Sequence, residues 1–418
     1  MTTPDTERSA VPHDDGPNLI TAAGKSFFPI ALVARFPYAM MVVGVLTLVV
    51  AGRDSLGLGG LTSAMVGLGT ALCAPLIGAA ADRWGQRAVI FFAGLASSLT
   101  LLAMAWVVYS PLPDLAVLVS GLLIGATTPQ IPPMSRSRLV GIILRRLPAA
   151  GRHRTLNRTM AYESAADEVT FVFGPMIVGI LAATLNPAAP VIGAAVLTLI
   201  FVSSFALHGS VREVHSAAEN RETAAPVREL LRPGLLVVLV GALGIGLFFG
   251  SVLTSLTSFM ADVGRAESAG LVYGVMGIGS AVFALGSVLF PDRFSLRARW
   301  LVFAGVMLAG TAVLPLIGTL AGMLAVLGVL GVGLGPTLVT QFSFVAARSP
   351  RGRSATAMTV ATTGIVVGQS SSAALTGQVA EHLGTQTALF APLLAALVIA
   401  VAAMVNWRVA GSEQIDRS

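Results

Sequence analysis

Twelve stretches of about 20 mostly apolar residues follow one another along this chain, and only a lipid bilayer accommodates that many. They fall near 28–51, 56–80, 88–109, 115–134, 162–185 and 190–208, then near 234–260, 269–290, 300–320, 322–345, 355–378 and 386–407. Each reads as a spanning α-helix, so the fold class is all-α and membrane-embedded. Charged residues make up 11% of the chain and hydrophobic ones 55%. A soluble domain carries roughly 25% charged residues and could not bury the apolar excess. The 45 glycines suit helices that must pack closely without a hydrophobic force between them.

Arginine placement fixes the expected topology. With the N-terminus inside, every Lys and Arg of the 26 except Arg35, Arg53 and Arg265 falls in a cytoplasmic segment. That is the positive-inside asymmetry, and it predicts an even number of spans with both termini cytoplasmic. The expected organisation is a tail over 1–27, a six-helix bundle over 28–208, a linker over 209–233, a second bundle over 234–407 and a tail over 408–418. Residues 1–25 are polar and lack the basic start and apolar core of a secretory signal. The halves read as repeats: Asp82-Arg83 recurs as Asp292-Arg293, and Pro129 of the fourth span recurs as Pro336 of the tenth. Two parallel six-helix repeats suit alternating access to a central site.

Between the second and third spans lies Gly78-Ala-Ala-Ala-Asp82-Arg83-Trp84-Gly85-Gln86-Arg87. Gly85 permits a tight turn, and Asp82 with the arginines can form charge-assisted bonds that latch helix ends. This segment resembles the G-x-x-x-D-R-x-G-R-[KR] signature of the major facilitator superfamily at Gly78, Asp82, Arg83, Gly85 and Arg87. Gln86 departs from the usual basic residue. The resemblance implies the major facilitator fold of twelve helices in two pseudo-repeats, conformational gating by these five residues, and a monomer.

The fifth span carries Glu163, Asp167 and Glu168, the acidic residues expected within a helix. Glu163 and Asp167 are four apart and share a face, whereas Glu168 points about 100° away. Intramembrane carboxylates are costly and usually functional, so these three are the candidates for proton coupling, with Asp167 first. The competing reading is local pairing with Arg152, Arg154 and Arg158, together with the favourable helix N-terminus, because the predicted inner boundary near Ala166 leaves Glu163 at headgroup level. Further along, Gly174-Pro175 and Gly179 partly resemble the helix-five element of antiporters in the superfamily, with Thr170 where a first Gly would stand. The resemblance implies packing against the eighth helix, at Gly270 and Gly274, and export. Generic helix packing is the alternative.

Arg35 is the one basic residue expected inside a span. It reads either as a counter-ion to the acids or a substrate, or as a side chain snorkelling to the interface. Gln130, Gln341 and Gln369 are candidate substrate contacts. Neither a catalytic nor a metal site is expected: Cys73 is the lone cysteine and the five histidines are scattered. No phosphate-binding loop is present, no cofactor is called for, and the basic charge is a topology signal, not a nucleic-acid one. The leading expectation is a secondary transporter in a bacterial cytoplasmic membrane, most like the drug/proton antiporter branch, exchanging protons for small drug-like or metabolite molecules. Solute uptake by symport or uniport, or a sensor that has lost transport, are the alternatives.

Overall fold

The structure is a computed structural model and describes residues 18–213, 225–265, 269–291 and 293–415. Regular structure among these residues is helical. Among the described residues, twelve long helices form the bundle. In the first half they are α1 (Phe27–Arg53), α2 (Leu56–Trp84), α3 (Gln86–Val108), α4 (Asp114–Arg146), α5 (Arg152–Thr184) and α6 (Ala189–Leu207). In the second they are α7 (Pro233–Asp262), α8 (Ala269–Gly286), α9 (Leu296–Val313), α10 (Leu320–Arg348), α11 (Ser354–Leu383) and α12 (Ala391–Ile415). Among the described residues, eleven helices are long and apolar enough to cross a membrane. The exception is α11, whose 30 residues would reach about 45 Å but include Thr356, Thr359, Thr362, Thr363, Gln369 and Ser370 to Ser372. It packs between α7 and α2, where such side chains return their hydrogen bonds to their own helix, as Thr362 does to Met358 O and Ser371 to Val367 O.

Local chemistry sets the ends. Ser55, Ser295 and Thr319 cap α2, α9 and α10 through their side-chain oxygens. Gly85, at φ 92°, joins α2 to α3 in a conformation closed to residues with a Cβ. Two spans depart from expectation. α4 does not end near 134: Pro129 breaks it after Thr127, and it resumes at Ile131 for 16 residues. α5 starts at Arg152, not near 162. Both extensions lie at the end of the bundle that carries the α2–α3, α4–α5 and α10–α11 connections, hereafter the basic end.

Glycine lets the helices touch backbone to backbone. A Cβ added at Gly125 of α4 would lie 2.0 Å from Val66 O of α2, and one at Gly335 of α10 would lie 2.1 Å from Ser280 O of α8. Gly69, Gly121 and Gly125 recur as Gly279, Gly331 and Gly335 at the 210-residue offset that separates Asp82 from Asp292, so the two halves repeat a packing device as well as a loop. Gly125→Ala is expected to destabilise the protein by about 1–3 kcal/mol, because two backbones must separate. Gly305→Ala, where nothing lies within 4 Å, is expected to be neutral or slightly stabilising. Thermal melts in one detergent compare them, and equal midpoints would refute the packing argument.

The buried cores follow the halves. One cluster gathers Val238, Trp300, Leu334 and Ile399 from α7, α9, α10 and α12, and it takes in Val140, Met160 and Ala161 from α4 and α5. Two others lie within the first half, apart from Ala355 of α11. The halves meet where α2 and α4 pack on α11, and α5 on α8 and α10.

Candidate functional site

A buried charge cluster sits where α1, α4 and α5 converge. The break in α1 places Arg35 between its two segments. The guanidinium donates from Nη2 to Glu163 Oε2, and from Nη1 to Asp167 Oδ1 at 2.9 Å and to Glu163 O at 3.1 Å. Ser135 of α4 donates to the other Glu163 oxygen at 2.9 Å. Arg136, next along α4, donates to Asp167 Oδ2. Two cations and two carboxylates thus balance, and both acids use both oxygens. Glu163 is wholly buried, while the Asp167 side chain keeps 22% of its surface accessible. Of the two carboxylates, it is Asp167 whose side chain keeps accessible surface.

The cluster settles the Arg35 question in favour of pairing and corrects two expectations. Glu163 does not pair with Arg152, Arg154 or Arg158: α5 begins at Arg152, and Arg35 of α1 and Ser135 of α4 hold the carboxylate. Nor is Arg35 the one basic residue inside a helix bundle. The span bounds of 115–134 and 162–185 put Arg136 and Arg138 in a loop, yet both lie on α4 and are 1% and 0% exposed. Arg138 donates to Gln86 Oε1 at 2.9 Å and to Phe205 O and Ser210 Oγ, tying α4 to the start of α3 and the end of α6. Gln86 therefore stands beside a guanidinium, where a basic residue would face a like charge, which explains its departure from the superfamily signature. Just beyond α6, burial and then the Arg138 charge hold His208 below the usual imidazole value. The neutral ring bridges Ser26 and Ser210.

The basic end is sealed between halves. Asp82, at the end of α2, accepts from Ala355 N at 3.2 Å, Thr356 N at 2.7 Å and Thr356 Oγ1 at 2.6 Å. Arg353, the N-cap position of α11, makes no capping bond of its own, so the cap comes from the other half of the chain. Gly78 allows this approach, since a Cβ there would meet Thr359 Oγ1 at 2.7 Å. Arg83 and Arg87 do not join: both are exposed and neither has an ion pair among the described residues, Arg83 lying 5.9 Å from the Trp84 ring. The arginine part of the expected latch is thus not made, because the tight turn at Gly85 turns the two side chains outward. Deeper in, the Arg136 guanidinium sits 3.7 Å over the Phe342 ring of α10, and Ser343 Oγ lies 3.3 Å from Asn157 Oδ1 of α5.

The remaining candidates do not join this site. Gly174 packs against Ala39 of α1, where its Cβ would come within 2.5 Å, and not against α8; Gly179, Gly270 and Gly274 have nothing within 4 Å. The expected α5–α8 glycine contact is therefore replaced by an α1–α5 one, although α5 and α8 do pack together. The side chains of Glu168 and Pro175, and all of Asp292, lie outside the described residues. Gln130 is buried and donates to Thr128 O across the α4 break. Gln341 is buried next to Gly241 and Trp300, with neither amide atom partnered among the described residues. Gln369 is half-buried, and its carbonyl faces Gly250 of α7.

Paired six-helix halves, sealed at one end by contacts between them and holding charges in the interior, define a polytopic membrane transporter. The family model described as Major Facilitator Superfamily matches residues 27–373, and the chain belongs to that superfamily. Its fold is similar to that of a human organic anion transporter (15% identity, TM-score 0.70, covering 93% of this chain and 100% of that one). It is also similar to a bacterial homologue of the iron transporter ferroportin in an outward-facing state (17%, 0.73, 93% and 99%). A third likeness is to the Escherichia coli fucose:proton symporter (15%, 0.65, 91% and 98%). No curated protein matches the chain by sequence.

Proposed function

We propose that this transporter is proton-coupled, with Asp167 as the group that takes up and releases the proton. The observation that carries the reading is Asp167 itself: a carboxylate between Arg35 and Arg136, the second of which lies over Phe342 of the other half, with a fifth of its side chain accessible. Glu163, closed off and bound by Arg35 and Ser135, orients Arg35 instead. The basic end is the cytoplasmic side of a bacterial inner membrane, by the excess of arginine there, and Asp82 with Gly78 and Gly85 closes it. The protein works as a monomer in lipid.

Efflux of small drug-like or metabolite molecules is the direction we assign. It rests on the partial likeness around Gly174 and Gly179 to the antiporter element, a likeness of sequence alone. Everted vesicles with a preformed inside-acid gradient test the whole reading. A compound that enters the lumen while protons leave through the wild type, with Asp167→Asn reduced to background, supports it. Equal proton release by the mutant would refute Asp167 as the carrier. Protons leaving together with a preloaded compound would reverse the direction to uptake.

A further inference from the structure

Three helices of the first half lose their regular winding around one cavity. α1 breaks at Ala34 and Arg35, α4 breaks between Thr127 and Ile131, and α6 carries a π-helical turn over Thr198–Val202. In the second half α7, α10 and α12 each run through as one α-helix, so the irregularity is not part of the repeat. Arg35 and Tyr38 of α1, Ser97 of α3, Thr128 of α4 and Thr198 of α6 line the cavity, and every lining residue belongs to the first half. It is therefore separate from the boundary between halves. Thr128 and Thr198 return their hydroxyls to Ile124 O and Ala194 O. Ser97 is 2% exposed, and its hydroxyl, like that of Tyr38, has no hydrogen-bond partner among the described residues. The Nε of Arg35 is buried and equally unpartnered among them.

Physical chemistry narrows what such a cavity can hold. An apolar occupant would leave the Ser97 hydroxyl buried and unpaired, at a cost in stability. An ion would lack a counter-charge, because Arg35 and Arg136 already balance Glu163 and Asp167. A neutral molecule that both donates and accepts fits the chemistry, and the space admits about one water molecule. We propose that this cavity is an internal water-binding site, anchored by Ser97 Oγ and completed by Tyr38 Oη and Arg35 Nε. It also accounts for the place of the breaks. Pro37 and Pro132, which line the cavity as well, have no N–H to give the preceding turn. A water inserted beside a broken helix is a recognised cause of a lasting bend, and here one water serves α1 and α4 together.

X-ray radiolysis of the full-length protein in detergent tests the site, because hydroxyl radicals form from bound water as well as from bulk water and oxidise the side chains beside it. Met41 lines the cavity and is 1% exposed, whereas Met40 and Met104, 1% and 0% exposed, do not line it. Tandem mass spectrometry separates the three thioethers. Met41 is expected to oxidise faster than both controls at the same dose. Ser97→Val fills the space and is expected to abolish that excess, and Ser97→Ala, which removes the hydroxyl and keeps the space, is expected to reduce it. Met41 oxidising no faster than Met40 and Met104 would overturn the site. An excess unchanged in Ser97→Val would put the water elsewhere and overturn it as well, and one unchanged in Ser97→Ala would overturn Ser97 as the anchor.

Discussion

Arg35→Met is expected to destabilise the protein by about 3–5 kcal/mol, the scale of a buried ion pair broken from one side. Glu163 is wholly buried, and without Arg35 its carboxylate keeps a single neutral donor, Ser135. The double variant Arg35→Met with Glu163→Met removes both charges, leaves Asp167 bonded to Arg136, and is expected to recover most of the loss. Arg35→Lys should fall between, since one ammonium cannot reproduce a planar fork that reaches Glu163 Oε2, Glu163 O and Asp167 Oδ1 together. Thermal melts of the four proteins in one detergent decide it. If the double variant is no more stable than Arg35→Met, the cost lies in packing around Arg35 and not in an orphaned carboxylate.

The parts of this protein that were legible in its sequence depend on local rules. Span length, arginine asymmetry and the turn at Gly85 each follow from chemistry within a few residues, and they gave the helix order and the sealed end. The 210-residue repeat was half legible. Asp82-Arg83 and Asp292-Arg293 announced it, whereas Gly69, Gly121 and Gly125 with Gly279, Gly331 and Gly335 carry it further, and any of the 45 glycines looks alike until a facing backbone is known. The site was least legible because its charges balance across distance. Arg35 and Glu163 are 128 residues apart, and a short-range reading sends Glu163 to the nearest arginines in the chain. Arg136 and Arg138 were hidden by the very rule that fixed the topology, which places arginines next to a span end in the loop. The signal that could have found them is the sequence Thr128-Pro129-Gln130-Ile131-Pro132-Pro133: proline at the first turn is compatible with a helix that restarts, so the fourth helix did not have to stop there.

Asp82→Ala should release the seal at the basic end without unfolding either half. The carboxylate accepts three hydrogen bonds, two of them from backbone N–H groups at the start of α11 that α11 does not cap itself. It also lies at the positive end of a 30-residue helix dipole. When the halves part, water replaces these partners, so the net bias toward closure is smaller than the gross bonding, about 2–3 kcal/mol or roughly a 30- to 150-fold shift in the closed-to-open ratio. Ser343→Cys in a Cys73→Ser background reads that ratio, because position 343 is fully buried against Asn157 and reacts with a bulky maleimide when the basic end opens. Labelling is expected to accelerate by the same factor in Asp82→Ala, by less in Asp82→Asn, which keeps an acceptor but loses the charge, and least in Thr356→Val, which removes the hydroxyl bond alone. A cysteine at Ala304, buried in the second half, should label no faster in any of them. Unchanged labelling at 343 in Asp82→Ala would mean that Arg136 on Phe342 and the Val140, Met160 and Ala161 contacts close the basic end unaided, and Asp82 would then be a helix cap with no part in gating.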